Sequence, residues 1–257
     1  MLKIRDVVNI MEEFAPLEGQ ASYDNCGLFY GDLDWDCKGV LVTLDTSVDV
    51  VNEAISNGAN MIIEHHPSVF GAIKKIDLSY PKHSAIALAI KNDIAIYSAH
   101  TCVDFTKGGL NDYVMELLDC EKYDLAFGIM SDMRVGTLKD AITLSSFVKR
   151  VKEVFNDDHV TFVGNSDKII KRIAVVNGGG GSSENSVITA KSLGADVYLS
   201  GDFKYNVFRL AKDLDYPVIS IGHYNSEMPF IKLITELLLN KKVDNVHGAT
   251  TCTDPLN

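Results

Sequence analysis

Short apolar runs alternate with amphipathic segments along most of the chain. The runs are rich in β-branched residues and predict strands at 39–44, 61–63, 94–98, 173–176, 197–200 and 218–221. Apolar residues at helical spacing predict helices between them, at 48–57, 84–91, 110–118 and 186–193. Strands with apolar residues at every position are typical of parallel sheets that are buried on both faces. The pattern therefore predicts an α/β fold built from parallel β-α-β units.

A weak internal repeat divides the sequence into two halves. The tripeptide Gly58-Ala59-Asn60 recurs as Gly194-Ala195-Asp196, and each copy lies between a predicted helix and a predicted strand. The repeat predicts two similar, interlocked α/β lobes, 1–125 and 126–257, as one continuous structural unit. A length of 257 residues leaves room for these lobes and for no mid-chain insert domain. Open α/β folds bind ligands at the carboxyl ends of their strands. Two facing lobes would therefore enclose a site in the cleft between them.

Histidines and acids follow the predicted strands where such a site would form. His65-His66 comes directly after an apolar run and before a proline. Two later strands each end in a histidine with an acid four residues on, His100 with Asp104 and His223 with Glu227. Imidazole nitrogen and carboxylate oxygen are ligands of transition metals such as Zn, and a carboxylate can bridge two ions. The set favours a centre of two metal ions over a grouping of ordinary surface or core side chains.

A glycine-rich loop, Gly178–Ser182, also follows a predicted strand, and its backbone amides could hold a phosphate group. No G-K-[ST] sequence is present, so a flexible turn is an equal alternative. Lys204 and Arg134 are the basic residues that could meet such a phosphate. Asp45 and Asp202 stand near strand ends, where they either orient a metal ligand or cap a helix or loop.

Composition and charge restrict the partners and the compartment. The 257 residues carry 24 Lys and Arg against 35 Asp and Glu, a net charge of −11, which argues against nucleic acid as the partner. Five cysteines without a C-x-x-C pair predict free thiols in a reducing compartment. The sequence shows no signal peptide and no apolar run long enough for a membrane helix. We therefore expect a cytoplasmic protein without membrane contact.

Six motifs in a fixed order resemble those of one known family. They are Y-D-N-C-G-L (23–28), E-H-H-P-S-V-F (64–70), A-H-T-C-V-D (99–104), G-G-L-N-D (108–112), G-A-D-V-Y-L-S-G-D (194–202) and G-H-Y-N-S-E (222–227). Over nearly its whole length the chain resembles the Nif-three-like dinuclear metal-centre family, whose members are often labelled GTP cyclohydrolase 1 type 2 homologs.

The resemblance implies two similar lobes, two divalent metal ions per chain (Zn, Fe, Mn or Ni) and a toroidal homohexamer. Carried over motif by motif, the metal ligands fall on His65, His66, Asp104, His223 and Glu227. His100 is left as a group that either contacts a metal ligand or faces the substrate, and it is the candidate catalytic residue. Three positions depart from the family pattern: Tyr23 stands where Trp is usual, Cys102 where Asn is usual, and Asn206 where His is frequent. Substrate contacts near Cys102 and Asn206 are therefore expected to differ.

Two functions fit these expectations. The first is a divalent-metal-dependent hydrolase in which two ions activate water, with His100 as the proton shuttle. Its substrate would be a nucleotide or another small molecule, and ring opening of GTP is one candidate reaction. The second is a non-catalytic, metal-binding hexameric scaffold or a regulatory, ligand-binding protein. Five ligands shared by two ions leave open coordination positions, which favours chemistry or ligand binding over a purely structural site.

Overall fold

The computed structural model describes residues 2–125 and 132–256. In chain order the helices are α1 (Ile4–Phe14), α2 (Val48–Ser56), α3 (Pro81–Lys91), α4 (Thr101–Phe105), α5 (Leu110–Leu117), α6 (Leu144–Phe155), α7 (Glu184–Ser192), α8 (Tyr205–Asp213), α9 (His223–Glu227) and α10 (Pro229–Asn240). The strands are β1 (Gly27–Tyr30), β2 (Val40–Thr43), β3 (Met61–Glu64), β4 (Ala95–Ser98), β5 (Cys120–Leu125), β6 (Arg134–Thr143), β7 (Thr161–Val163), β8 (Ile169–Val176), β9 (Val197–Ser200), β10 (Val218–Ser220) and β11 (Val246–Gly248).

The chain forms two compact units, each with its own sheet. Unit 1 contains the residues up to Thr106 together with those from Phe230, and unit 2 is Lys107–Pro229. Unit 1 therefore includes the last helix and strand of the chain, which the sequence placed in the second lobe. The boundary predicted between residues 125 and 126 falls at 126–131, outside the described residues, and stays a prediction.

The sheet of unit 1 has the strand order β1-β4-β3-β2-β11. The four strands from β4 to β11 are parallel, and β1 runs antiparallel to β4 at one edge. Every residue of β2, β3 and β4 is buried. Helices α2 and α3 cover one face of the sheet, where Val51 and Ala89 pack against Leu41 and Ile62. This burial on both faces explains why these strands are uninterrupted apolar runs in the sequence.

The sheet of unit 2 has the order β5-β6-β8-β9-β10-β7. Its central strands β8, β9 and β10 are parallel, whereas β5, β6 and β7 pair antiparallel. Helix α6 buries Phe147 and Val151 in a core shared with Ile173 and Leu199. The α/β prediction is confirmed, and parallel strands lie at the centre of each sheet. The prediction of parallel units did not include the antiparallel strands β1, β5, β6 and β7.

The internal repeat has the same local structure in both units. Ser47 caps α2 by accepting a hydrogen bond from the backbone of Val50, and Ser183 caps α7 in the same way. Each helix is followed by a glycine with positive φ, 67° at Gly58 and 76° at Gly194, where a side chain would be strained. The turn then leads into the central strand of its sheet. No helix among residues 2–125 and 132–256 is long and apolar enough to cross a membrane.

Candidate metal centre

The turn after β3 holds His65 and His66 through a buried carboxylate. Glu64, the last residue of β3, is fully buried. Its Oε1 accepts hydrogen bonds from the backbone nitrogen of Ser68 at 2.6 Å and from the hydroxyl of Ser98 at 2.7 Å. Burial nevertheless raises the pKa of Glu64 above its ordinary value. The carboxylate thus closes the turn that carries the two histidines and joins it to β4.

Each of these histidines has its Nδ1 engaged by a separate acceptor. His65 is fully buried, and its Nδ1 donates to the carbonyl oxygen of Ala99 at 2.9 Å. The Nδ1 of His66 lies 3.1 Å from Oδ1 of Asp45, which ends the segment after β2. Burial on its own raises the pKa of Asp45, but the hydrogen bond and charge of His66 outweigh it, so this pKa is lowered. Asp45 therefore orients a predicted ligand, one of the two roles that the sequence left open.

His100 follows β4 and is held by Asp24. Its Nδ1 lies 2.9 Å from Oδ2 of Asp24, which also accepts a hydrogen bond from the backbone nitrogen of Thr101 at 3.0 Å. Burial opposes the charge on Asp24, yet the hydrogen bonds from His100 and Thr101 prevail and hold the pKa of this carboxyl well below its usual range. Asp24 is consequently an anion that fixes the imidazole of His100.

The three imidazoles of unit 1 converge. His65, His66 and His100 each offer a ring nitrogen within 4.8 Å of the others, a group that could hold a metal ion. Asp104, on α4, places Oδ1 3.8 Å from Nε2 of His65. The structure thus brings His100 into the same group as the predicted ligands, which makes it a candidate ligand as well as a candidate catalytic residue.

Unit 2 carries the second group, at the start of α9. His223 lies 2.7 Å through Nδ1 from Oδ2 of Asp202, and its Nε2 lies 3.1 Å from Oε2 of Glu227. The hydrogen bond with Asp202, and then that with Glu227, raises the pKa of His223 to about 10. In metal-free protein this imidazole carries a proton at neutral pH, and a metal ion would displace that proton on binding.

The glycine-rich loop gives these carboxylates room to approach the backbone. A Cβ on Gly178 would lie 1.9 Å from Oε1 of Glu227, and one on Gly180 would lie 2.9 Å from Oδ2 of Asp132. The backbone nitrogen of Gly178 donates to the hydroxyl of Ser226 at 3.0 Å, which fastens the loop to α9. An anion at this loop would face like charges, so the geometry favours a turn that accommodates Glu227 over a phosphate cradle.

Arg134 is not placed to meet a phosphate. Its side chain is 1% exposed and forms an ion pair with Asp112 inside unit 2. Two residues of the site were missed in the sequence: Asp24 and Glu64. Both stand inside quoted motifs, but their partners lie up to 77 positions away along the chain, so spacing alone gives no sign of their contacts.

One feature is common to the four histidines of the two groups. In each ring Nδ1 is hydrogen-bonded to a carboxylate or a carbonyl, so Nε2 is the nitrogen placed to ligate. The acceptors are Ala99, Asp45, Asp24 and Asp202. Metal-binding histidines show this arrangement because the acceptor fixes the tautomer and the direction of the ring. The donor set, imidazoles with carboxylates, therefore fits a divalent transition metal.

The chain and its fold are similar to those of known proteins. A model of the Duf34/NIF3 (NGG1p interacting factor 3) family matches residues 2–255. A Clostridium perfringens protein named GTP cyclohydrolase 1 type 2 homolog is 34% identical over 245 residues, which cover 91% of this chain and 90% of the relative. The fold is similar to that of the Staphylococcus aureus hypothetical protein SA1388, with a TM-score of 0.91 at 26% identity over 100% of this chain and 99% of the other. Reduced HcgD from Methanocaldococcus jannaschii gives a TM-score of 0.83 at 29% identity, over 97% of this chain and 98% of the other. The chain therefore belongs to the Duf34/NIF3 family.

Proposed function

We propose that this chain is a divalent-metal-dependent hydrolase with a two-metal centre. The proposed ligands are the five residues that the resemblance implies: His65, His66, Asp104, His223 and Glu227. The observation that supports the proposal is the orientation of the histidines, since every one of them is held through Nδ1 by a separate acceptor. In metal-binding histidines an acceptor at one ring nitrogen fixes the direction of the other, and these four rings share that arrangement. The residues fit two ions of the Zn, Fe, Mn or Ni type.

The chemistry proposed for the site divides between the ions and the chain. When bound, divalent ions act as Lewis acids and lower the pKa of water toward neutrality. His100 supplies the proton transfer, because Asp24 holds its Nδ1 and so directs Nε2 into the histidine group. Asp104 and Glu227 contribute negative charge, which balances part of the charge of the ions. The relatives' name suggests ring opening of a nucleotide as the reaction.

Metal content provides the first test. Elemental analysis of protein purified without chelators is expected to find close to two divalent ions per chain, and less than half an ion would contradict the proposal. Glu227→Ala should lower the metal content while circular dichroism stays unchanged, because the carboxylate ligates rather than packs. Glu236→Ala, which removes an exposed acid next to Lys232, is the matched control and should keep the metal.

The second candidate is a metal-binding protein without catalysis, acting as a scaffold or as a regulatory, ligand-binding protein. The two candidates differ in turnover. Metal-loaded protein is expected to hydrolyse at least one member of a panel of nucleotides, phosphoesters and cyclic amides, and His100→Asn should reduce that rate at unchanged metal content. Inactivity toward the whole panel, with a metabolite that copurifies, would favour the non-catalytic candidate.

A further inference from the structure

Two exposed aromatic rings stand beside the histidine group of unit 1. The rings of Tyr23 and Phe70 are near-parallel, with planes inclined by 16° and centroids 6.5 Å apart. The Phe70 ring meets the imidazole of His100 edge-on at 5.9 Å between centroids. Tyr23 is 67% exposed and Phe70 is 51% exposed, so the pair leaves most of its ring surface in water. Neither ring is one of the proposed metal ligands.

Hydrogen bonds hold the pair in place from both sides. Asn25 donates from its side-chain amide to the carbonyl oxygen of Val69 at 2.6 Å, which ties the residues after Tyr23 to the segment that carries Phe70. Ser68 is fixed to Glu64 at the base of that segment. Asp24, between Tyr23 and Asn25, holds His100. Three consecutive residues thus have separate roles. Tyr23 contributes a ring of the pair, Asp24 orients the imidazole of His100, and Asn25 binds the segment that carries Phe70.

A pocket adjoins the pair. It has a volume of about 430 Å³ and is lined by Asn25, Phe29, Val69, Phe70, Gly71, Ala72 and Ile73. Among the described residues that line it, Asn25 is the single polar side chain, so the lining carries no formal charge. The volume lies within the range of small-molecule sites. An uncharged, flat group is the ligand chemistry that suits an apolar lining beside two exposed ring faces.

We propose that Tyr23 and Phe70 form a stacking subsite for a planar heteroaromatic ring of the substrate, which places that ring next to His100. The subsite rests on the proposed function, because it names the class of substrate that the metal centre would act on. It assigns a role to Tyr23, the first residue of the Y-D-N-C-G-L motif. Stacking accepts any flat ring, so the subsite defines a class of ligand and not one compound.

Saturation-transfer NMR with inosine tests the subsite. Inosine is an uncharged purine nucleoside, and its ribose serves as an internal control for non-specific contact. The full chain is measured both metal-free and zinc-loaded. The base protons are expected to saturate more strongly than the ribose protons in both samples. Equal saturation of the base and ribose protons would overturn the subsite. Absence of inosine binding in both the metal-free and the zinc-loaded sample would also overturn it.

Variants locate the binding. Tyr23→Ala and Phe70→Ala are each expected to weaken inosine binding by about tenfold, the loss typical of one stacking contact. Tyr23→Phe and Phe70→Tyr keep a ring and should restore it. Tyr80→Ala removes a ring that is 53% exposed elsewhere in unit 1 and should change nothing. Unchanged affinity in both alanine variants would overturn the proposal.

A filling variant covers the case in which the alanine variants fail to fold. Gly71 lines the pocket, and a Cβ on it would meet no atom within 4 Å, so Gly71→Leu adds bulk at the pocket wall without a clash at Cβ. It should block inosine, and unimpaired binding would contradict the subsite. Metal content is measured on the same samples. Absence of metal uptake overturns the proposed function while the inosine result stands by itself, because the metal-free sample reports on stacking alone.

Discussion

At the scale of single residues, hydrogen-bond partners set the orientation of the histidines in the candidate metal groups. Asp202 lies 2.7 Å from Nδ1 of His223 and fixes that ring. Asp202→Ala is expected to weaken metal binding about 10- to 100-fold with the fold intact, since loss of an orienting carboxylate typically has this effect. Competition with a chelating dye measures the affinity.

The control for Asp202 is an acid of the same unit that contacts no candidate ligand. Asp213 is paired with Arg209 four residues earlier on α8. Asp213→Ala should leave the metal affinity at the wild-type value. If Asp202→Ala and Asp213→Ala bind metal equally well, the orienting role of Asp202 is refuted.

Gly178 provides a second test at this scale. Its φ is 59°, and a Cβ would lie 1.9 Å from Oε1 of Glu227. Gly178→Ala should therefore displace Glu227 and lower the metal content. Gly194 has a φ of 76° but nothing within 4 Å of its would-be Cβ, so Gly194→Ala carries the backbone strain alone. Both variants should lose about 1 to 3 kcal/mol of stability, and Gly178→Ala alone should lose metal. Equal metal content in the two would contradict this account.

The residues of the site differ in how far the sequence predicts them. His65-His66 is conspicuous because the histidines adjoin each other after an apolar strand, and the acids of α4 and α9 stand four positions after a histidine. Asp24 gives no such signal, since its contact with His100 spans 76 positions. Long-range contacts of this kind depend on the fold, so they emerge only when the strands are placed side by side.

At the scale of elements, helix α2 anchors the segment after β11. Glu53 of α2 accepts hydrogen bonds at Oε1 from the backbone nitrogen of Thr250 at 2.7 Å and at Oε2 from that of Thr251 at 2.9 Å. Burial on its own raises the pKa of Glu53, but the hydrogen bonds from Thr251 and Thr250 outweigh it and lower the pKa below 4.5. The ionised carboxylate is therefore more stable in the folded chain than in the unfolded chain.

The sign of this shift gives a pH dependence. A lowered pKa contributes stability above the unfolded value, and that contribution is lost as the pH falls through the lower, folded value. At pH 7 the free energy of unfolding of Glu53→Gln should therefore be about 1 to 2 kcal/mol lower than that of wild type. The difference should shrink steadily below pH 4.5. A difference that is equal at pH 7 and pH 3, measured by thermal unfolding, would show that ionisation plays no part.

The ion pair between Asp112 of α5 and Arg134 of β6 joins a helix to the sheet of unit 2. Both side chains are almost fully buried, so removal of Asp112 deprives a buried guanidinium of its ion-pair partner. Asp112→Ala should cost about 3 to 5 kcal/mol in chemical denaturation. The double variant Asp112→Leu with Arg134→Met should recover most of that loss. A double variant as unstable as the single one would show that the pair itself stabilises the fold.

Elements were predictable where the chain is buried on both faces. Strands β2, β3 and β9 carry apolar residues at nearly every position, and the sequence places them within two residues of their observed bounds. The edge strands were not predicted. β11 is half-buried throughout and contains His247 and Gly248, so its pattern lacks the apolar run that marks a central strand. β11 forms a strand because it pairs with β2, and its own sequence has no strand pattern that would predict it.

At the scale of the whole molecule, the family resemblance predicts a homohexamer. Native mass spectrometry tests this with the full chain, since each subunit weighs 28.2 kDa. We expect a species of about six times that mass, with two further divalent ions per subunit if the metal proposal holds. A monomer at micromolar concentration would refute the hexamer and leave the metal proposal untouched.

Unit 1 is discontinuous in sequence, since it contains residues from both ends of the chain. The two copies of the repeat each form a capped helix, a glycine turn and a central strand. The repeat gave no indication that the last strand joins the first sheet, because β11 has no counterpart in the repeated segment. The sheet that β11 joins depends on the free edge of β2, with which β11 pairs.

The late strand has a consequence for synthesis. β4 ends at Ser98, whereas β11 begins at Val246 and pairs with β2 along the edge that starts at Val40. A ribosome needs on the order of ten seconds to add the intervening residues at ordinary elongation rates. During that time β2 is an open edge on an apolar nascent sheet, the condition that promotes aggregation and recruits chaperones. The first sheet to begin forming is therefore the last to be finished.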